Sequence, residues 1–370
     1  MNTTLLPTKR LLSLDIFRGI TIVLMILVNS PGTQFPYPLL DHALWNGCTI
    51  ADLVFPSFLF IVGLTSVISL QRHKTNLRSV YASILQRSLI LFAIGLLLNA
   101  FPFHFDAASL RFYGVLQRIA CCYLVCSVIY LNTSVKSQIL IFLSILWGYW
   151  LLMTVIPVPN IGSNQLTQSG TWEAYFDQLL CSSQHLYEKV YDPEGFLSTF
   201  PAIATTLIGT ITGSLLLGKS DKQQKMYVMI AFGWLFLILA WLWNFSFPIN
   251  KNIWTSSFSL WCGGYALIGF AFVYLLVDIW GYEKWAYPFK VFGMNALFAF
   301  IFHVFLLKVQ LMFVFTLSNG TQGNLRYYIT DYLFSSFSPQ NAALLYALAF
   351  LCLNYWIVWI LYKRSVFIKI

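Results

Sequence analysis

The sequence predicts an all-α protein, a polytopic transmembrane helical bundle of about ten helices with its N- and C-termini cytoplasmic. Three observations predict it. Of 370 residues, 58% are hydrophobic and only 9% charged, too few charges to cover a water-facing surface. Apolar runs near the roughly 20 residues that a helix needs to cross a ~30 Å hydrocarbon layer recur from one end of the chain to the other. Those runs lack the alternation, about ten residues long, of a membrane barrel strand, and a helix satisfies its own backbone polar groups inside lipid.

The first run, at about 11–30, is too long for a cleaved signal segment and has no small-residue cleavage site, so it is expected to stay as the first span. In its "SLDIFRGI", Asp15 and Arg18 share a helical face near the cytoplasmic end, either as a local ion pair or as part of a donor vestibule. Asn29 lies at the far end. A loop with proline and glycine then brings His42 back towards the membrane, where the second run, at about 50–71, opens in "HALWNGCTIADLVFPSF". Thr49 suits the N-cap and Asp52 the first turn, where a carboxylate favours the helix dipole. Asp52 is also close enough in the chain to hold a tautomer of His42 or accept its proton. Asn46 crowds the same stretch, and Pro56, one turn in, predicts a kink.

The third run is at about 80–100; the fourth, at about 113–131, places Gln117 and Arg118 inside an apolar stretch. Arginine keeps its charge, so Arg118 requires a carboxylate, a phosphate or water. Cys121, Cys122 and Cys126 share that helix and read as small reduced hydrophobes. After the fifth run, at about 138–156, comes the longest connection, at about 157–198, turn-rich at first and then with a short helix in "EAYFDQLLCSSQHLYEKVYDPEG". A loop of that length in such a protein is expected to cover a site. Runs at about 199–217, 226–245 and 256–280 follow, and "PINKNIWT" sets Asn250, Lys251 and Asn252 at the outer mouth of the last, as anchors or ligands. The run at about 291–315 carries Asn295 and His303 two turns apart on roughly one face, where they tie helices together or line a path. The last run is at about 342–362. The whole chain, 1–370, reads as a single domain.

Lys9, Arg10, Arg72, Lys74, Arg78, Arg87, Lys136, Lys219, Lys222, Lys225, Lys284, Lys290, Lys363, Arg364 and Lys369 fall on the side of the N-terminus, which the positive-inside rule makes cytoplasmic. The other side has Arg111, Lys189, Lys251 and Arg326, and its long loop holds Glu173, Asp177, Glu188, Asp192 and Glu194. The net charge of +9 is therefore a topology signal, and without a continuous basic stripe no nucleic-acid partner is expected. No CxxC pair, zinc-spaced Cys/His cluster, Gly-rich phosphate loop, GxSxG or HExxH occurs, so no metal is expected and any chemistry rests on a histidine.

The stretches "RLLSLDIFRGITIVLMILVN", "HALWNGCTIADLVFPSFLFIVG", "GVLQRIACCYLV", "YDPEGFLSTFPAI", "PINKNIWT", "FGMNALFAFIFH" and "LYKRSVFIKI" together resemble, in order from about 10 to 370, the heparan-alpha-glucosaminide N-acetyltransferase family and its bacterial relatives. The resemblance implies a membrane enzyme, in the bacterial inner membrane, that moves an acetyl group from cytosolic acetyl-CoA to the amine of a glucosamine-like sugar across the bilayer. It implies that His42 is the catalytic histidine and Asn29 an active-site asparagine, and it carries over a homodimer. The histidine's role, acetylated intermediate or general base, stays open. A turn that is Gly-rich in the family is shortened here to "SPGTQFPYP".

Acetyl transfer to an amine requires a held thioester, a base for the ammonium proton and a donor to the oxyanion. A histidine suits the second task at neutral pH, and the Asn29 amide suits the third. Asn46, Asp52 and Asp15 are supporting candidates. Arg18, Gln117, Arg118, Lys251, Asn295 and His303 are candidates for acetyl-CoA, and Asp192, Glu194, Asn250 and Asn252 for the acceptor side. The competing reading is an amino-sugar or N-acetylglucosamine transporter, since buried Arg, Asn and His also suit a permeation path, although the sequence has no inverted repeat.

Overall fold

A computed structural model describes residues 11–71, 77–102, 108–318 and 320–368. Of the basic residues that set the expected orientation, Lys9, Arg10, Arg72, Lys74 and Lys369 lie outside the described residues. The helices in chain order are α1 Leu12–Asn29, α2 Ile50–Leu70, α3 Leu77–Ala100, α4 Val115–Asn132, α5 Val135–Thr154, α6 Trp172–Leu180, α7 Thr199–Leu217, α8 Lys222–Trp243, α9 Ser256–Tyr274, α10 Tyr287–Met294, α11 Ala296–Met312, α12 Leu325–Phe334 and α13 Pro339–Lys363. A small antiparallel hairpin pairs β1 Val314–Thr316 with β2 Gln322–Asn324. Among the described residues nine helices are long and apolar enough to span a bilayer, or ten where α10 and α11, which meet that measure only together, are one broken span rather than a re-entrant segment. The protein is an all-α integral membrane protein.

The bend corrects the expectation of one continuous run at about 291–315. The chain turns by 72° between α10 and α11, at Asn295. Asn295 leaves helical geometry (φ −125°, ψ 37°), and its side chain serves the C-terminal tail, donating to the Val366 carbonyl at 3.0 Å and accepting from the Ile368 amide at 3.1 Å. Just before it, α10 lies directly on α1: a methyl group on Gly293 would overlap the Asp15 carbonyl, and one on Gly19 the Phe289 carbonyl. The break thus brings the start of α1 and the end of α13 to one face of the bundle, called here the terminal face. The opposite one is the loop face.

Four helices form the centre. In α1, α2, α7 and α9 61–67% of the span is buried, against 28% in α3, α5, α8 and α13, which turn Leu89, Leu140, Trp147, Phe232, Trp234 and Trp356 outward. In lipid such an apolar rim is solvated and gives no drive to associate, so close packing of small residues must hold the centre. The α2–α7 crossing shows this: a Cβ on Gly63 would strike the Thr206 carbonyl, and one on Gly209 the Phe60 carbonyl.

On the loop face the long connection folds as expected around a short helix, α6, whose N-cap Thr171 accepts from the Ala174 amide. It lies over the outer ends of α4, α5 and α7 and is fastened to the 30–49 loop, where the Trp45 indole donates to the Leu166 carbonyl at 2.8 Å.

Candidate active site

The start of α2 sets the site. Thr49 caps the helix, and the Asp52 carboxylate accepts at Oδ2 from the Thr49 amide (3.0 Å), the Thr49 hydroxyl (3.1 Å) and the Ala43 amide (3.1 Å). Its other oxygen, Oδ1, faces His42 Nδ1 at 2.7 Å and Lys251 Nζ at 3.3 Å. Capping and histidine-holding, weighed as alternatives in the sequence, are therefore done by opposite oxygens of one side chain. Asp52 is fully buried, and a buried carboxylate is tolerable only when its lone pairs are filled and its charge is paired.

The imidazole itself is open, with 44% of its side-chain surface exposed. When Nδ1 donates to Asp52, Nε2 keeps a lone pair directed away from the carboxylate. Lys251 stands over the ring, its Nζ 3.0 Å from Nδ1 and 3.4 Å from Nε2. A buried anion, an oriented imidazole and an ammonium thus meet at the loop face. That arrangement can accept a proton at Nε2, attack an electrophile from the same atom, or place positive charge beside a developing oxyanion.

Two loops are pinned together to make it. Gly47, at φ +110° where a side chain would be strained, donates its amide to the Ile249 carbonyl at 2.7 Å. The buried Asn250 donates to Asn46 Oδ1 at 3.1 Å and accepts from the Ile253 amide at 3.2 Å, so this asparagine pair fixes Lys251 relative to His42. Asn252 is the next residue and makes no hydrogen bond to the group among the described residues. Asn29 is exposed at the last turn of α1, on the same face, and its amide is unbonded among the described residues.

Beneath the long loop lies a second polar group. Arg111 grips Asp192 Oδ1 at 2.6 Å and Glu194 Oε2 at 2.5 Å, so the two acids placed on the acceptor side are held by an arginine. Burial opposes the Arg111 charge, but these carboxylates outweigh it and push its pKa up. Arg118 is buried. It donates to the Gly195 carbonyl at 3.2 Å and to the Ser198 hydroxyl, and lies 5.1 Å from the Trp254 ring centroid. Both bonds come from Nη2, at the root of the loop; Nε and Nη1 have no partner among the described residues. Glu173 and Asp177 of α6 are fully buried beside it. Burial pushes Asp177 up to about 6, even though it accepts from the Asp192 and Phe196 amides, and pushes Glu173 well above the carboxylate range. In the sequence these two acids read only as balancing charge on the loop, since nothing local signals burial.

The remaining candidates are elsewhere. Asp15 and Arg18 are 3.5 Å apart on the terminal face, where Arg18 also donates to the Gly293 carbonyl at 3.2 Å. Asn295 is on that face too, engaged by the tail. His303 is buried in α11 with Nδ1 3.2 Å from the Ala299 carbonyl and Nε2 without a partner among the described residues. Gln117 is buried between α3 and α4, its Nε2 without a partner among the described residues, and it lines a cavity of about 340 Å³ together with Asn99 and Lys308. Among the described residues no cluster of His, Cys, Asp and Glu could hold a metal.

Residues 10–249 match the family described as heparan-alpha-glucosaminide N-acetyltransferase, catalytic. The chain is 31% identical over 359 residues to heparan-alpha-glucosaminide N-acetyltransferase of Homo sapiens, an alignment covering 80% of this chain and 52% of that protein. It is 30% identical over 360 residues to the Mus musculus protein of the same name, covering 80% and 53%. The chain spans about half the length of these curated relatives.

Proposed function

The chain belongs to the heparan-alpha-glucosaminide N-acetyltransferase family, and from that premise we propose that it transfers the acetyl group of acetyl-CoA to the amine of an amino sugar at the loop face. In this reading the terminal face is cytoplasmic, the membrane is a bacterial inner membrane, and acetyl-CoA enters from the side of the termini. The observation that carries the reading is the open imidazole of His42 held on the buried carboxylate of Asp52 beside Lys251.

His42 Nε2 takes a proton from the acceptor's ammonium group. The freed amine attacks the thioester carbonyl carbon; Lys251 and the unbonded Asn29 amide supply donors to the oxyanion. As the C–N bond forms and the C–S bond breaks, the second nitrogen proton goes to the leaving thiolate, and His42 returns its own to solvent. Asp52 holds Nδ1 throughout, so that Nε2 keeps its lone pair at each turnover. Arg18, on the terminal face, is placed to meet the anionic end of the donor.

The test uses proteoliposomes with acetyl-CoA on one side and glucosamine on the other. Acetylated sugar and free CoA thiol should appear in equal amounts only when both substrates are present. Sugar accumulating unmodified inside vesicles without acetyl-CoA would replace this reading with the transporter.

A further inference from the structure

Arg87 is exposed in α3, ten residues after Leu77, so about 15 Å along the helix from the terminal face. A charge at that depth is costly in lipid and marks a functional site unless it is paired. Among the described residues the Arg87 guanidinium meets no carboxylate and no hydrogen-bond acceptor; it lies against the ring of Tyr123 in α4, 4.9 Å from Cζ to the centroid. A ring face attracts the cation but accepts none of its five N–H groups in the plane where they point.

Beside Arg87 is a cavity of about 360 Å³ between α2, α3 and α4, whose lining includes Ser69, Ser79, Ser83, Gln86, Arg87 and Tyr123 and reaches the end of α2 and the start of α3. Leu70, Val80, Ile84 and Ile90 complete the lining, the Ser83 hydroxyl donates to the Ser79 carbonyl at 2.9 Å, and Arg87 is the charged residue of the lining, which has no carboxylate. An arginine with no carboxylate beside it suits an oxyanion, and a cation would be repelled. An arginine fork pairs two oxygens of a phosphate as it does those of a carboxylate, and phosphate is the anion that a leaflet surface and a nucleotide both present.

We propose that this cleft binds a phosphate group, with Arg87 as its charged ligand. Two molecules present that chemistry here: the nucleotide end of the acetyl donor, if the acetyl-CoA reading above holds, and a phospholipid headgroup from the leaflet on that face.

The test uses the whole chain in nanodiscs, as wild type, R87Q, R87K and H42A. With adenosine 3′,5′-bisphosphate as probe in zwitterionic lipid, a nucleotide site predicts that R87Q weakens binding by at least about tenfold, R87K by less, and H42A not at all. A lipid site predicts bisphosphate binding indifferent to Arg87, and phosphatidylglycerol retained by wild type and lost by R87Q in native mass spectrometry. In wild type alone, the bisphosphate or phosphatidylglycerol should slow amide exchange in residues 77–90, which covers the case of variants that do not fold. If neither ligand protects that segment, or neither depends on Arg87 in folded variants, the proposal falls. Because the readout is binding, a protein that binds phosphate here but transfers no acetyl group refutes the proposed function and leaves this site standing.

Discussion

Asp52→Asn separates the two tasks of that side chain. Two backbone amides, of Ala43 and Thr49, donate to Oδ2, so the asparagine must place its carbonyl oxygen there. Its NH2 then takes the position of Oδ1, facing His42 Nδ1 at 2.7 Å and Lys251 at 3.3 Å. A donor at that point makes Nδ1 the acceptor and moves the imidazole proton to Nε2. The lone pair that should take the acceptor's proton is then gone. Where an aspartate fixes a catalytic tautomer, this exchange lowers turnover about 10³- to 10⁴-fold, or about 4–5.5 kcal/mol in the barrier. The helix cap survives, and the loss in stability, from Lys251 without its carboxylate, is about 1–3 kcal/mol. The assay is release of CoA thiol with glucosamine as acceptor, with kcat and KM measured separately beside a thermal melt. A folded D52N protein retaining kcat within about tenfold of wild type would refute the reasoning.

Two further outcomes concern the scaffold. Gly209→Ala drives a methyl group into the Phe60 carbonyl and should destabilise the α2–α7 crossing by about 1–3 kcal/mol, whereas Gly148→Ala, with no atom within 4 Å of the added carbon, should be neutral or slightly stabilising in the same detergent melt. Asp177 titrates near 6 in the folded loop against 3.8 for the ordinary side chain. A raised carboxyl pKa contributes stability that is complete below about pH 4 and lost as pH rises to about 6, so the loop should be held more tightly in acid by about 3 kcal/mol. Amide exchange across residues 177–196 should report this, and the pH dependence should flatten in Asp177→Asn; an equal slope in both proteins would contradict it.

The fold class was legible because hydrophobic spacing alone decides it, and the Thr49–Asp52 cap because both partners lie within one helical turn. His42 and Asp52 also read together, being ten residues apart in one loop-to-helix stretch. Lys251 could not be joined to them, since 209 residues separate it from His42 and only the tertiary pinning of Gly47 on Ile249 brings it there. The requirement of Arg118 for partners was legible, but Gly195 and Ser198 as two of them were not, since they lie about 80 residues further along the chain, at the root of the long loop. The break at Asn295 was hidden by apolar residues continuing on both sides, with the bend imposed by α1 and the C-terminal tail. Arg87 was counted as an orientation signal, because nothing in its neighbours shows that α2 and α4 leave a cavity around it.

The most direct measurement of the central claim is acetyl transfer by purified His42→Ala protein, followed as CoA thiol released with glucosamine, against wild type in the same lipid. His42 is exposed, but its removal takes one partner from the buried Asp52 while Lys251 stays paired with it, so the variant should remain folded with a loss of about 1–3 kcal/mol in the melt. Its turnover should fall by at least about 10³-fold. A variant that folds and still releases CoA at the wild-type rate would show that the imidazole at the loop face is not where the reaction takes place.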